Sequence, residues 1–334
     1  MATHSHEERL VCGFRSFVDC LEGATLKHPR LEEVIALKQP HLPKRIYKYR
    51  CDGTYSRENL KTDTVWMASP DTYNDPYDCS FKVSEDEVVA ALKMNLLWEF
   101  AKVYKFPNDE IIAQVDKALS SGLDPLASLA ASIAEAKGVS PGSNPPQAAE
   151  FFSLVAPKLI ADTIGVLRQW RKITKVCSFS AVKDSILMWG HYAQDHKGFC
   201  IEYDLEGLEA DHGLRKILYP VIYSPLLYDL TGFAKKLVGP NRNDFNPSSP
   251  LLGVLHKFNG WTYEQEWRAV TYTPGVTGDY NWAVPTPSRV FLGAKMEAKN
   301  GEEIAAICAS KGIEVCRMVM AKDKFELLSE PYAP

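Results

Sequence analysis

The chain has 334 residues, 46% hydrophobic and 24% charged, with a formal net charge of -4; that length buries a sizeable core, and the balance excludes wholesale disorder. The slight negative charge gives no general attraction to nucleic acid or anionic lipid, which excludes an extended phosphate-binding surface while leaving local basic patches open. No apolar run has the ~20 residues of a transmembrane helix, and the opening residues 1–9 lack the hydrophobic stretch of a secretory signal, so a cytoplasmic protein with no membrane segment is expected.

In chain order, residues 8–38 are expected to be helical: Leu10, Val11, Phe14, Phe17, Val18 and Leu21 recur near helical spacing and Pro29 interrupts them. His4 and His6 precede this stretch and read as part of a tail rather than as a metal site. Residues 39–43, with two prolines, lead into a short strand at 45–50, and a second strand at 65–68 stops at Ser69-Pro70. From 84 to 172 the chain turns rich in Ala, Leu, Lys and Glu. Helical periodicity covers 88–103, 110–119, 126–136 and 148–173, with a Gly/Pro/Ser linker at 138–146. Amphipathic stripes of this kind are core-facing.

Strands return at 175–180, 198–204, 217–223, 266–273, 289–292 and 314–320, with short helices near 185–193 and 297–311 and a polar loop at 239–250. Strands and helices do not alternate as regular βαβ units, and no Gly-rich turn joins a strand to a helix, which argues against a doubly wound nucleotide-binding fold. The expectation is an α+β protein: a bent mixed β-sheet core at 43–83 and 174–334, an N-terminal helical segment at 1–42, and an inserted helical subdomain at 84–173. None of the eight cysteines forms a CxxC pair, so the paired spacing of a zinc site is missing. Cys177 and Cys200 lie in apolar stretches and read as small buried hydrophobes.

Four separated aromatic-polar segments carry the candidate chemistry. In the first, alternation puts Tyr47 and Tyr49 on one strand face and Lys48 and Arg50 on the other; Arg50 at the strand end suits a phosphate or carboxylate. The second, residues 66–78, is a proline-bounded loop in which Trp66, Tyr73 and Asn74 offer a wall for a flat ring. The third, residues 177–204, places Ser178 and Ser180 on one strand face and His191 and Tyr192 on a short helix. His191 and His196 are five apart, which is wrong for a helical zinc pair. Glu202 and Asp204 share a face and leave a metal-dependent nuclease as an alternative. The fourth, residues 261–268, holds Glu264 and Glu266, which point the same way if the strand is already extended there. Two such carboxylates can divide the work of stabilising positive charge on a sugar and activating a nucleophile; a structural salt bridge from Glu266 to Arg268 or Arg50 is the competing reading.

Taken in order, Tyr47-Lys-Tyr-Arg50, the Ser-Pro-x-x-Tyr-Asn-Asp-Pro-Tyr-Asp loop at 69–78, Cys177-Ser-Phe-Ser180, the stretch 188–203 and Tyr263-Glu-Gln-Glu-Trp-Arg268 resemble the bacterial domain-of-unknown-function 2971 family, over about 43–325 with the helical insertion between. That family name carries no activity; the resemblance implies an association with phage defence or abortive infection. A fainter similarity is to ADP-ribosyltransferases, on Arg50, Ser178 or Ser180, and Glu264-Gln-Glu266 in that order. It implies NAD as a substrate: Arg50 on the phosphates or ribose, Ser178 or Ser180 on the nicotinamide ribose, Glu266 on the ribose hydroxyl and the oxocarbenium-like state, and Glu264 orienting a protein or nucleic-acid acceptor. The functions so implied are an ADP-ribosyltransferase or NAD glycohydrolase, with a toxin or defence role. A non-catalytic module that senses a nucleotide or a partner is the other alternative.

Overall fold

The computed structural model describes residues 15–24, 30–103, 109, 112–113, 117, 120, 158, 161–167, 169–239, 246, 248–275 and 278–333. His4 and His6, the linker at 138–146, the helix expected at 126–136, most of the one at 110–119 and most of residues 148–160 of the one at 148–173 lie outside them, as does most of the loop at 239–250.

Residues 15–22 are helical, and α1 (Leu31–Lys38) follows. Then come β1 (Arg45–Arg50), α2 (Thr54–Thr62), β2 (Thr64–Met67), β3 (Phe81–Lys82) and α3 (Glu85–Val103). The chain continues through β4 (Thr174–Ser180), α4 (Ile186–Tyr192), β5 (Phe199–Asp204), α5 (Gly213–Ile217), β6 (Leu218–Pro220), β7 (Ile222–Ser224) and β8 (Tyr228–Asp229). Last are α6 (Thr231–Val238), α7 (Ser249–Leu255), β9 (His256–Phe258), β10 (Glu266–Tyr272), β11 (Tyr280–Ala283), β12 (Arg289–Leu292), α8 (Ala298–Ala309), β13 (Glu314–Met320) and β14 (Leu327–Pro331).

Eight strands form one mixed sheet in the order β14-β13-β12-β5-β1-β4-β10-β6. Only β12 and β13 run parallel, joined by α8 as a crossover; the other neighbours are antiparallel. The α+β class expected from the sequence is what the chain forms. The strand expected at 217–223 breaks at Val221, so β6 closes the main sheet while β7 leaves it and pairs in parallel with β9.

Both faces of the sheet are buried. Ile46, Phe179, Ile201, Trp267 and Leu292 pack on one side with Ile304 and Cys308 of α8. On the other, Tyr47, Tyr49, Cys200 and Phe291 meet Met188 and Trp189 of α4, and Val176, Tyr219 and Val270 meet α7 together with Phe17, Leu21 and Val34. The N-terminal helical segment therefore completes the core of the sheet's second face. Among the described residues, no helix is long and apolar enough to cross a membrane.

One irregularity positions the site. β1 pairs with β5 along all six of its residues, but with β4 only at Tyr47↔Ser180. Beyond that point the two strands part, and Ala68 bridges Val176 on the β4 edge instead (Ala68 N to Val176 O 3.0 Å, Val176 N to Ala68 O 2.9 Å). β1 is held on its far side by a tight close: Gln194, Asp195 and His196 all adopt the left-handed conformation, and a side chain on Gly198 would put Cβ 2.1 Å from the Arg50 carbonyl oxygen. Only glycine permits that approach.

Candidate functional site

Where β1 and β4 part, a cleft of about 240 Å³ opens, walled by Lys48, Arg50, Trp66, Tyr73, Asn74, Ser178, Ser180, Tyr192, Lys257, Glu264 and Glu266. The four segments separated in the sequence thus meet in one cavity. Of the residues expected to form the site, His191 alone does not line it. Its ring instead packs against Trp261 and Tyr263, with centroids 6.3 and 6.2 Å away.

The floor is ionic. Lys257 Nζ donates to Glu264 Oε2 at 2.5 Å and Glu266 Oε2 at 2.8 Å and lies 3.6 Å from Asp78 Oδ2. Arg268, fully buried, donates through Nε to Glu266 Oε1 at 2.8 Å and through Nη2 to Asp78 Oδ1 at 2.6 Å, and its Nη1 is held by the Val254 carbonyl. Three buried carboxylates therefore face two buried cations, the pairing that buried charge requires. The remaining Glu264 oxygen accepts from the Tyr192 hydroxyl at 2.6 Å.

The two glutamates differ in character. Burial raises the Glu264 carboxyl above its ordinary range, against the opposing pull of Lys257. Burial acts the same way on Glu266, but Arg268 and Lys257 override it and hold that carboxyl well below the usual range. Burial acts to lower Lys257, yet Glu266, Asp78 and Glu264 hold it above its ordinary value, so it stays charged. Glu266 is thus a fixed anion with both oxygens engaged by cations, as the salt-bridge reading has it, although its partners are Arg268 and Lys257, not Arg50. Glu264 is the carboxyl of the two that holds a proton more readily than an ordinary glutamate.

Glu264 and Glu266 do not lie on one extended strand. β10 begins at Glu266, Glu264 ends a 3-10 turn, and Gln265 between them is left-handed, with φ 42. They still converge, because the turn brings Glu264 round to the same lysine. The two serines also separate. The Ser180 hydroxyl donates to the Glu264 carbonyl at 2.6 Å and accepts from Val182 N at 3.0 Å, so it ties β4 to the turn that carries Glu264. Ser178 is only partly buried and lines the cleft as Ser180 does.

Opposite the carboxylates, Arg50 Nη2 donates to Asn59 Oδ1 at 2.7 Å, and Asn59 Nδ2 is in turn held by Thr64 Oγ1 and Asn281 Oδ1, each at 2.8 Å. Lys48 Nζ donates to the Ser178 carbonyl at 2.7 Å, across the gap left by the missing ladder. Two oriented cations thus stand at one end of the cleft and a net-acidic cluster at the other, with Trp66 and Tyr73 in its wall.

Sequence reasoning missed Lys257, Asp78 and Asn59. Lys257 sits in a three-residue strand that no alternation pattern can reveal. Its one signal is a lysine two positions after the apolar run 250–255 and just before Trp261 and Tyr263, where a buried cation needs nearby acids. Glu202 and Asp204 lie outside the cleft: Glu202 is buried beside Ser288 and Arg45, and Asp204 accepts the Glu206 N–H. Among the described residues, no group of three or more His, Cys, Asp or Glu is placed to hold a metal.

Residues 188–269 match the family model described as protein of unknown function (DUF2971). The matched stretch supplies Tyr192, Lys257, Glu264, Glu266 and Arg268, which is the ionic floor apart from Asp78. No curated protein and no solved structure matches the chain. The family match does not bear on the similarity to ADP-ribosyltransferases.

Proposed function

We propose that the cleft binds NAD and cleaves its nicotinamide–ribose bond, as a glycohydrolase or as an ADP-ribosyltransferase that uses a protein or nucleic-acid acceptor. The observation that carries this reading is Glu264, a buried carboxyl poised by Tyr192 and Lys257 in a cleft whose other end presents Arg50 and Lys48. At about 240 Å³ the cavity is below the ~300 Å³ lower end of ordinary ligand sites. It therefore suits one ring with its sugar, and the pyrophosphate extends along Lys48 and Arg50. Trp66, half-exposed at the rim, is placed to stack on the ring.

Departure of nicotinamide takes both electrons of the C1′–N bond onto the pyridinium ring and leaves positive charge on the ribose. The carboxylates outnumber the buried cations, so this charge meets a preorganised anionic field. Water or the acceptor hydroxyl then attacks C1′ and gives its proton to the Glu264 carboxylate, whose raised affinity for protons suits a general base. Depletion of the dinucleotide is the output that a toxin or phage-defence effector requires.

The test is nicotinamide release from NAD by the purified chain. Glu264→Gln is expected to abolish release with the unfolding midpoint retained, and Trp66→Ala to raise KM about tenfold with little change in kcat. Absence of release, with or without candidate acceptors, sinks the reading; saturable NAD binding without turnover would make the cleft a sensing site instead.

A further inference from the structure

We infer that a second cavity, across β9 from the cleft, is a binding site for a small neutral aromatic compound carrying one hydrogen-bond donor. Strand alternation sends the Lys257 side chain to the ionic floor and its neighbours His256 and Phe258 to the other side. There a cavity of about 330 Å³ is lined by these two with Tyr77, Leu226 and Leu227, and Lys257 contributes to the walls of both cavities. Tyr77, Leu226 and Phe258 are 68, 75 and 55% exposed. Large apolar side chains so exposed around a concavity mark a ligand site rather than a solvated surface.

The polar groups fix the ligand's character. Asp75 has one oxygen on Tyr77 N and the other on Trp261 Nε1, so both of its oxygens are already engaged. The Lys257 ammonium is spent on the carboxylates behind the wall, so it offers no charge to an anion. The Ser80 hydroxyl donates to the Pro76 carbonyl, and Ser224 Oγ accepts from Leu226 N. His256 remains. Its Nδ1 lies 2.7 Å from the Leu252 carbonyl, so Nδ1 carries the proton; burial keeps the ring neutral, and Nε2 is left as an acceptor. The Tyr228 ring, 4.8 Å from the imidazole, holds it in place. A phenol or an indole meets both demands, an apolar ring and one O–H or N–H.

The site is independent of the reaction proposed for the cleft, and the experiment keeps the two apart. Titration of 4-methylphenol and of indole into the full chain by calorimetry should give saturable one-to-one binding. Toluene, which lacks the donor, should bind about tenfold more weakly, a difference of ~1.4 kcal/mol. Leu226→Asp, at an exposed position, should lose phenol binding with the unfolding midpoint unchanged, and His256→Phe should bring 4-methylphenol down to the toluene affinity. Glu264→Gln should leave phenol binding intact whatever it does to nicotinamide release. No saturable binding, equal affinity for toluene and 4-methylphenol, or binding that survives Leu226→Asp overturns the inference. So does a dimer that Leu226→Asp dissociates, which would make these side chains a self-association face.

Discussion

Lys257→Met tests whether the ionic floor is held together as described. Methionine keeps an unbranched stem of similar length and removes only the charge, leaving Asp78, Glu264 and Glu266 with Arg268 as their one buried cation. Lys257 is 8% exposed and its contacts are 2.5, 2.8 and 3.6 Å. Breaking a buried pair from one side costs ~3–5 kcal/mol, which in a chain of this size lowers Tm by roughly 4–7 °C. The loss is expected to depend on pH. Without Lys257 the carboxyl of Glu264, already raised by burial, rises further. A carboxyl whose folded pKa exceeds its unfolded one gives stability that is full below the unfolded value and is lost as pH rises through the folded value. The deficit should therefore be larger near about pH 8 than near about pH 5. Thermal unfolding followed by circular dichroism at both pH values, on the parent, Lys257→Met, Glu264→Gln and the double variant, measures it. The double variant should recover part of the loss at high pH, because one carboxylate has gone. An equal deficit at both pH values, or one below about 1 kcal/mol throughout, refutes this account of the floor.

Two further changes probe the scaffold. Lys38 is fully buried, donates to the Leu218 carbonyl at 2.8 Å and to that of Lys216, and lies 3.9 Å from the Tyr219 ring centroid; burial lowers its pKa to about 7. Between about pH 7 and 10 the unfolded chain then binds more protons than the folded one, so urea midpoints should rise with pH, and Lys38→Met should remove that rise. Gly198→Ala, which drives Cβ to 2.1 Å from the Arg50 carbonyl, should cost about 3 kcal/mol or more, at or beyond the top of the overpacking range; a midpoint within experimental error of the parent would show that β1 can move aside.

The sheet was largely legible because its strands are punctuated. Residues 45–50 follow a proline-bounded turn and alternate from Tyr47 to Arg50, so the separation of Tyr47 and Tyr49 from Lys48 and Arg50 onto two faces could be read directly. The location of the cleft was legible for a related reason: aromatic residues beside polar turn groups are costly to bury without a purpose. Its wiring was not. Arg268 and Asp78 meet across 190 positions, and Lys257 acts from a strand too short to show a period. The division of labour between Glu264 and Glu266 depends on one left-handed residue, Gln265, which spacing alone renders as an extended pair. Ser180, a natural candidate for the ribose, is instead consumed in fixing the Glu264 turn.

The single Tyr47↔Ser180 pairing has a consequence for how any occupant would be held. In an antiparallel strand alternate residues turn both backbone groups to the same neighbour, so Val176, Ser178 and Ser180 face the side that β1 abandons. Ala68, the Tyr73 hydroxyl and the Lys48 ammonium already answer the Val176 and Ser178 carbonyls. The gap is therefore an interrupted ladder whose missing rungs are partly supplied by side chains. A flat ring with an amide edge entering there would stand where a piece of strand is missing, and the protein would in that sense complete its sheet with its ligand.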